Sequence, residues 1–204
     1  EVINGRKNIL RALTDIFESA ARIPSKGKGS IFVTFNNDLD YFYGSKDLLN
    51  RWTGLFARIL TMGWQIAFLI RLGSDPGRIN RLFHIILPLL GAENFTPYYL
   101  KNYDSLSFGR EVVTVSGLGA LSCYPVKQMS CIEYAFHLKS PHAVEILSRY
   151  MDKIVISSAT PLTKYAPYCD LSELIPEVRR DEGFHGNEYL YSTNFSFLTL
   201  PSHL

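Results

Sequence analysis

Charge of either sign is scarce in this 204-residue chain, and what there is does not gather. Lys and Arg number 21 against 19 Asp and Glu, and charged residues make up 20% of the whole, below the ~25% usual in soluble domains. Without a basic block there is no electrostatic footprint of a nucleic-acid groove, so the chain alone is not expected to bind DNA. Cysteine is nearly missing. Cys123, Cys131 and Cys169 are odd in number and lack C-x-x-C spacing, which argues against a disulfide framework or a cysteine zinc site and favours a reducing cytoplasm. Long apolar runs are missing as well: the longest are residues 66–70 and 85–90, the second broken by Pro88, far short of the ~18 residues a membrane helix needs. No apolar segment followed by a small-residue cleavage site opens the chain, so no secretion signal is read. The chain starts at Glu1 and stops at Ser202-His203-Leu204, which reads as a piece of something longer.

Apolar residues, by contrast, are plentiful at 47%, enough for a sizeable core and too many for disorder. Ile9, Leu10, Leu13, Ile16, Phe17, Ala20 and Ala21 recur at helical spacing, which predicts an amphipathic helix over about residues 4–22. Residues 25–29 read as a flexible loop, and SIFVTF (30–35) as a buried strand. Polarity then flips to Asn36, Asn37, Asp38 and Asp40 before the aromatic cluster Tyr41, Phe42 and Tyr43. Ser45 is a candidate cap for a second helix that Gly63 ends. WQIAFLIRL (64–72) reads as a second strand, residues 73–77 as a turn, and the stripe Ile79, Leu82, Phe83, Ile86, Leu89 and Leu90 as a third helix. Alternating helices and continuous apolar strands indicate parallel β–α–β units.

Beyond Gly91 the pattern changes to consecutive strands at about 95–101, 110–116, 120–124 and 131–138, with a hairpin at Gly117 and Gly119. A last helix opens at Ser140 with Pro141 in its first turn. The fold class expected is α/β, with a mixed, mostly parallel sheet and helices on both faces. Residues 1–29 are expected to be an amino-terminal helix and linker, 30–160 the α/β domain, and 161–204 the truncated lead-in to a second unit.

Few residues offer chemistry. His84, His137, His142, His185 and His203 are scattered, without the clustering a metal site requires; no metal and no cofactor is expected. No G-x-S-x-G elbow exists, and Gly117-Leu118-Gly119 lacks the third glycine and following helix of a dinucleotide loop. His137-Leu138-Lys139 is the one H-x-K in the chain. On a strand both side chains share a face, and as a phosphodiesterase pair the His would be nucleophile and the Lys would hold phosphate charge; the plainer reading is a strand-end His and a solvated Lys. Two polar sets fall at the carboxyl ends of the expected parallel strands: Asn36, Asn37 and Asp38 after the first, and Arg71, Asp75 and Arg78 after the second. Open α/β sheets hold ligands there, although Asn and Asp also simply build turns. Tyr98, Tyr99, Tyr103 and Phe108 are candidates to line such a pocket.

The order SIFVTF, a helix over 48–63, WQIAFLIRL, a helix through Leu90, FTPYYL and REVVTVSGLGAL resembles one half of the phospholipase D-like superfamily over residues 30–156. That family carries H-x-K-x4-D, and on the matching strand this chain has Arg110, Val112 and Gly117 instead. The resemblance therefore implies a catalytically empty half-domain, similar to effector domains of bacterial helix-turn-helix transcription regulators. It implies a non-catalytic sensor or effector of a cytoplasmic regulator, pairing as a homodimer or with a second half-domain and touching DNA only through a segment outside this chain. The ligand candidates are Asn36, Asn37, Asp38, Arg71, Asp75, Arg78, Tyr99 and Arg110, with a small molecule as effector and no catalytic residue. The competing readings are a phospholipase D-like phosphodiesterase using His137 and Lys139, and a purely structural dimerisation module. A filled strand-end rim together with His137 facing a cleft beside Lys139 would favour the enzyme.

Overall fold

The amino-terminal stripe folds as a helix for the reason its spacing predicts. In the computed structural model of the chain, which describes residues 1–25, 29–36, 46–71, 76–100, 110–125 and 132–162, α1 (Arg6–Ala20) buries Ile9, Leu13, Ile16, Phe17 and Ala20, one helical face. A strand absent from the sequence reading precedes it, β1 (Val2–Asn4). Gly5 joins the two with φ +85°, a backbone state that a Cβ disfavours and glycine tolerates.

The β–α–β run follows: β2 (Ser30–Phe35), α2 (Lys46–Thr61), β3 (Gln65–Ile70), α3 (Pro76–Ile86), a 3-10 turn at Leu87–Leu89, and β4 (Phe95–Leu100). Then come β5 (Glu111–Val115), β6 (Gly119–Pro125), β7 (Ile132–Leu138), α4 (Pro141–Ser158) and β8 (Ala159–Pro161). The expected cap Ser45 lies outside the described residues. Ser140 sits at the cap of α4 with extended backbone, its side chain making no capping hydrogen bond.

The eight strands form one sheet in the order β1-β7-β6-β5-β2-β3-β4-β8, so the α/β class and the mixed sheet stand. The direction of most neighbours does not match the expectation. Only β2/β3 and β3/β4 are parallel; the other five pairings are antiparallel. The cause is burial. All five residues of β5 are buried, and a strand covered on both faces shows the same unbroken apolar run whichever way its neighbours point.

Helices cover both faces, unequally. Ile31, Val33 and Phe35 of β2 and Ile66, Phe68 and Ile70 of β3 join α1, α2 and α3 in the main core. Phe32, Leu69 and Val112 on the opposite face pack with Met151 and Ile154 of α4. Edge-to-face rings knit the main core together: Phe17 to Phe56 at 5.1 Å, Phe56 to Phe68 at 5.1 Å, and Phe35 to Phe68 at 4.8 Å. Such pairs add roughly 0.5–1.5 kcal/mol each beyond burial.

The described residues belong to one compact unit, and residues 164–204 lie outside the described residues. Within that unit, α1 supplies five residues to the core, and β1 extends the sheet through β7.

Candidate functional site

β2, β3 and β4 run the same way and end on one edge of the sheet, where antiparallel β5 begins. The regular β2/β5 ladder spans Ile31 to Val33 against Val115 to Val113; past it, side chains replace backbone partners. The Val112 N–H donates to Thr34 Oγ1 at 2.8 Å, the Thr34 hydroxyl donates to Glu111 Oε2 at 2.5 Å, and the Asn36 N–H donates to Glu111 Oε1 at 2.7 Å. Asn36 Nδ2 donates to the Arg110 carbonyl at 2.8 Å. Glu111 is 1% exposed. A carboxylate with both oxygens occupied by donors is fixed in place, and charge-assisted bonds of this kind are about twice as strong as neutral ones.

Arg78 of α3 closes the rim from the other side. It is 4% exposed; its guanidinium donates to the Phe35 carbonyl at 2.7 Å and to the Arg71 carbonyl. Arg71 Nη1 reaches the Asn36 carbonyl at 3.4 Å. The structure therefore brings Asn36, Arg71, Arg78 and Arg110 together, yet many of their polar groups bond to the chain itself. Among the described residues, the space bounded by Thr34, Asn36, Arg110 and apolar residues of the α4 face is about 10 Å³, room for roughly one water. Asn36 Oδ1 is buried there without a hydrogen-bond partner.

Tyr99 does not join this space. It stands opposite Ile70, which belongs to the main core, and directly opposed residues share a face. Tyr98, opposite Leu69, is on the α4 face by the same argument. Asn37, Asp38, Asp75, Tyr103 and Phe108 lie outside the described residues. Glu111 and Thr34 were not nominated from sequence, although one signal was present: Glu111 is the only charge in the apolar run EVVTV, and a buried carboxylate demands donors.

Of the positions matching H-x-K-x4-D, Arg110 is half-buried beside the small cavity, Val112 is 2% exposed in the core under α4, and Gly117 occupies the β5–β6 turn with φ +74°. Neither an imidazole nor an ammonium stands on this strand. Cys123, opposite Glu111 in the ladder, is an inert thiol: burial first, and the Glu111 charge second, push its pKa far above the usual range. Among the described residues no cluster of three His, Cys, Asp or Glu is placed to hold a metal, and no helix is long and apolar enough to cross a membrane.

His137 and Lys139 lie elsewhere, on a groove of about 730 Å³ between α1 and the β1/β7 edge. Lys139 Nζ pairs with Glu1 Oε2 at 2.6 Å, the two side chains being 65% and 56% exposed. The hydrogen bond and charge of Lys139 hold the Glu1 carboxyl below its ordinary pKa. Burial, then the Lys139 charge, lowers the pKa of His137 and favours neutral imidazole. Val144 stands where an aspartate would complete H-x-K-x4-D, and it is 1% exposed in α4.

Neither a family model nor a curated protein sequence matches the chain. Among solved structures it is similar to TrmBL2, an archaeal chromatin protein whose structure shows a novel mode of DNA binding, at TM-score 0.52 and 10% identity over 78% of this chain and 52% of that one. It also matches polyphosphate kinase from Porphyromonas gingivalis at TM-score 0.45 and 14% identity, over 89% of this chain and 28% of that one. The chain thus spans about half of the first protein or less of the second. At 10% identity the likeness to TrmBL2 is one of fold: this α/β architecture occurs within an archaeal chromatin protein.

Proposed function

We propose that this chain is the non-catalytic effector domain of a cytoplasmic transcription regulator of the kind found in bacteria, built on one phospholipase D-like half. It acts by binding a small effector or by pairing with a second copy, and DNA contact belongs to a segment outside this chain. The observation that carries the reading is the strand matching H-x-K-x4-D, where Arg110, Val112 and Gly117 stand instead. The fold shared with a DNA-binding chromatin protein supports the same reading.

Thermal unfolding of the chain against a panel of anions, nucleotides and peptides tests it. A ligand present at 100 times its dissociation constant adds about 2.7 kcal/mol; silence across a broad panel, with a concentration-independent monomer in light scattering, contradicts both modes of action.

A second reading has two observations in its favour: the strand-end rim is nearly filled among the described residues, and His137 lines a groove beside Lys139. A phosphodiesterase centred on His137 is therefore the rival. Against it stands Val144, 1% exposed in α4, where an aspartate would complete H-x-K-x4-D. Turnover that depends on His137 separates the two.

A further inference from the structure

The strand-end rim has room for a water, whereas the groove beside α1 measures about 730 Å³, within the ~300–1,000 Å³ range of small-molecule sites. Each wall carries a cation, and the helix wall carries the carboxylate of Asp15 as well. The helix wall carries Arg11, which has no ion-pair or hydrogen-bond partner among the described residues. The strand wall carries Lys139, whose partner is the Glu1 carboxylate. Ile16 and Leu118 supply an apolar floor, on which Gly119 is packed so closely that a Cβ there would lie 3.3 Å from Ile16 Cδ1 and 3.6 Å from His137 Nε2.

The Glu1–Lys139 pair shows what this site holds. Both partners are more than half exposed, so water and salt weaken their attraction and the carboxylate is exchangeable. An oxyanion arriving in the groove replaces Glu1 at Nζ without leaving a buried charge unpaired, and meets a second cation, Arg11, that Glu1 leaves unused. We infer that the groove between α1 and the β1/β7 edge binds a small molecule bearing an oxyanion, held by Lys139 and Arg11, with Glu1 as the internal competitor. The inference rests on the effector-binding mode proposed above and names its site and ligand class; a chain that binds none of the probes below yet pairs in light scattering loses the groove and keeps the regulatory reading.

The test is titration of the whole chain with inorganic phosphate, inorganic pyrophosphate and citrate at constant ionic strength, followed by NMR shifts at His137 and by calorimetry. Saturable binding of the phosphates alone identifies a phosphoryl ligand, and of citrate alone a carboxylate ligand; either supports the site. Lys139→Ala and Arg11→Gln each weaken binding at least about tenfold. Glu1→Gln tightens it about two- to fivefold, a gain that a merely structural carboxylate does not produce. Lys153→Ala, on the exposed face of α4, leaves it unchanged. Absence of saturable binding to all three probes, equal weakening by Lys153→Ala, or a Glu1→Gln chain that binds no more tightly overturns the inference.

Discussion

At the scale of single residues the account rests on Glu111. Its oxygens accept the Asn36 N–H and the Thr34 hydroxyl in a site that is 1% exposed. Glu111→Ala strands two buried donors and is expected to cost about 3 kcal/mol in urea unfolding; Glu111→Gln keeps an acceptor and loses less. A Glu111→Ala chain within about 0.5 kcal/mol of wild type would show that the carboxylate is not what holds β2 and β5 where they part. His137 yields a pH dependence of known sign. Its folded pKa lies below the ordinary 6.5, so below that pH the unfolded chain takes up a proton that the fold resists. The contribution is complete above about pH 6.5 and is lost as pH falls through the folded value. His137→Gln should flatten stability against pH in that window, as thermal melts at stepped pH will show. That Asn36, Arg71 and Arg78 fall at strand ends was legible because polarity flips where apolar strands stop, whereas Arg110 entered only through the family resemblance. The targets of their polar groups were not: a guanidinium in a sequence carries no sign of whether it meets a ligand or the carbonyls of Phe35 and Arg71.

At the scale of elements, the long periodic segments were readable, and two strands escaped. β1 and β8 have three residues each, too few to show an alternation, and both exist through ladder bonds to distant partners, β7 and β4. The helical spacing placed the amino-terminal helix from about Asn4, whereas α1 begins at Arg6; Gly5 is what separates strand from helix. Gly5→Ala is accordingly expected to cost about 1–3 kcal/mol and to loosen β1 from β7, seen as faster amide exchange at Ile3. Gly29 makes a sharper case. A Cβ there would lie 2.4 Å from Trp64 Cε3, and Trp64 is anchored through Nε1 to the Ile23 carbonyl at 2.8 Å. Gly29→Ala must shift that indole, at about 1–3 kcal/mol, with a red-shifted tryptophan emission as the visible sign; unchanged emission and stability would mean that the loop absorbs the methyl freely.

For the molecule as a whole, the two faces of the sheet are unequally covered. Three helices build the main core, whereas five buried residues hold α4 to the other side. Ser148 Oγ of α4 is buried without a hydrogen-bond partner, which weakens the element further. Hydrogen exchange should therefore open α4 at a lower free energy than β2 and β3; coincident opening would mean one cooperative unit. On the same sheet face Val2, Tyr134 and Phe136 remain exposed, while α4 packs farther along, on β2, β5, β6 and β8. The claim on which the functional account depends is that this architecture binds without turning substrate over. Hydrolysis of bis(p-nitrophenyl) phosphate by the whole chain, compared with His137→Ala, tests it most directly. The account predicts release of nitrophenol at the buffer rate for both proteins; release above buffer that disappears in His137→Ala would contradict it and make the groove an active site.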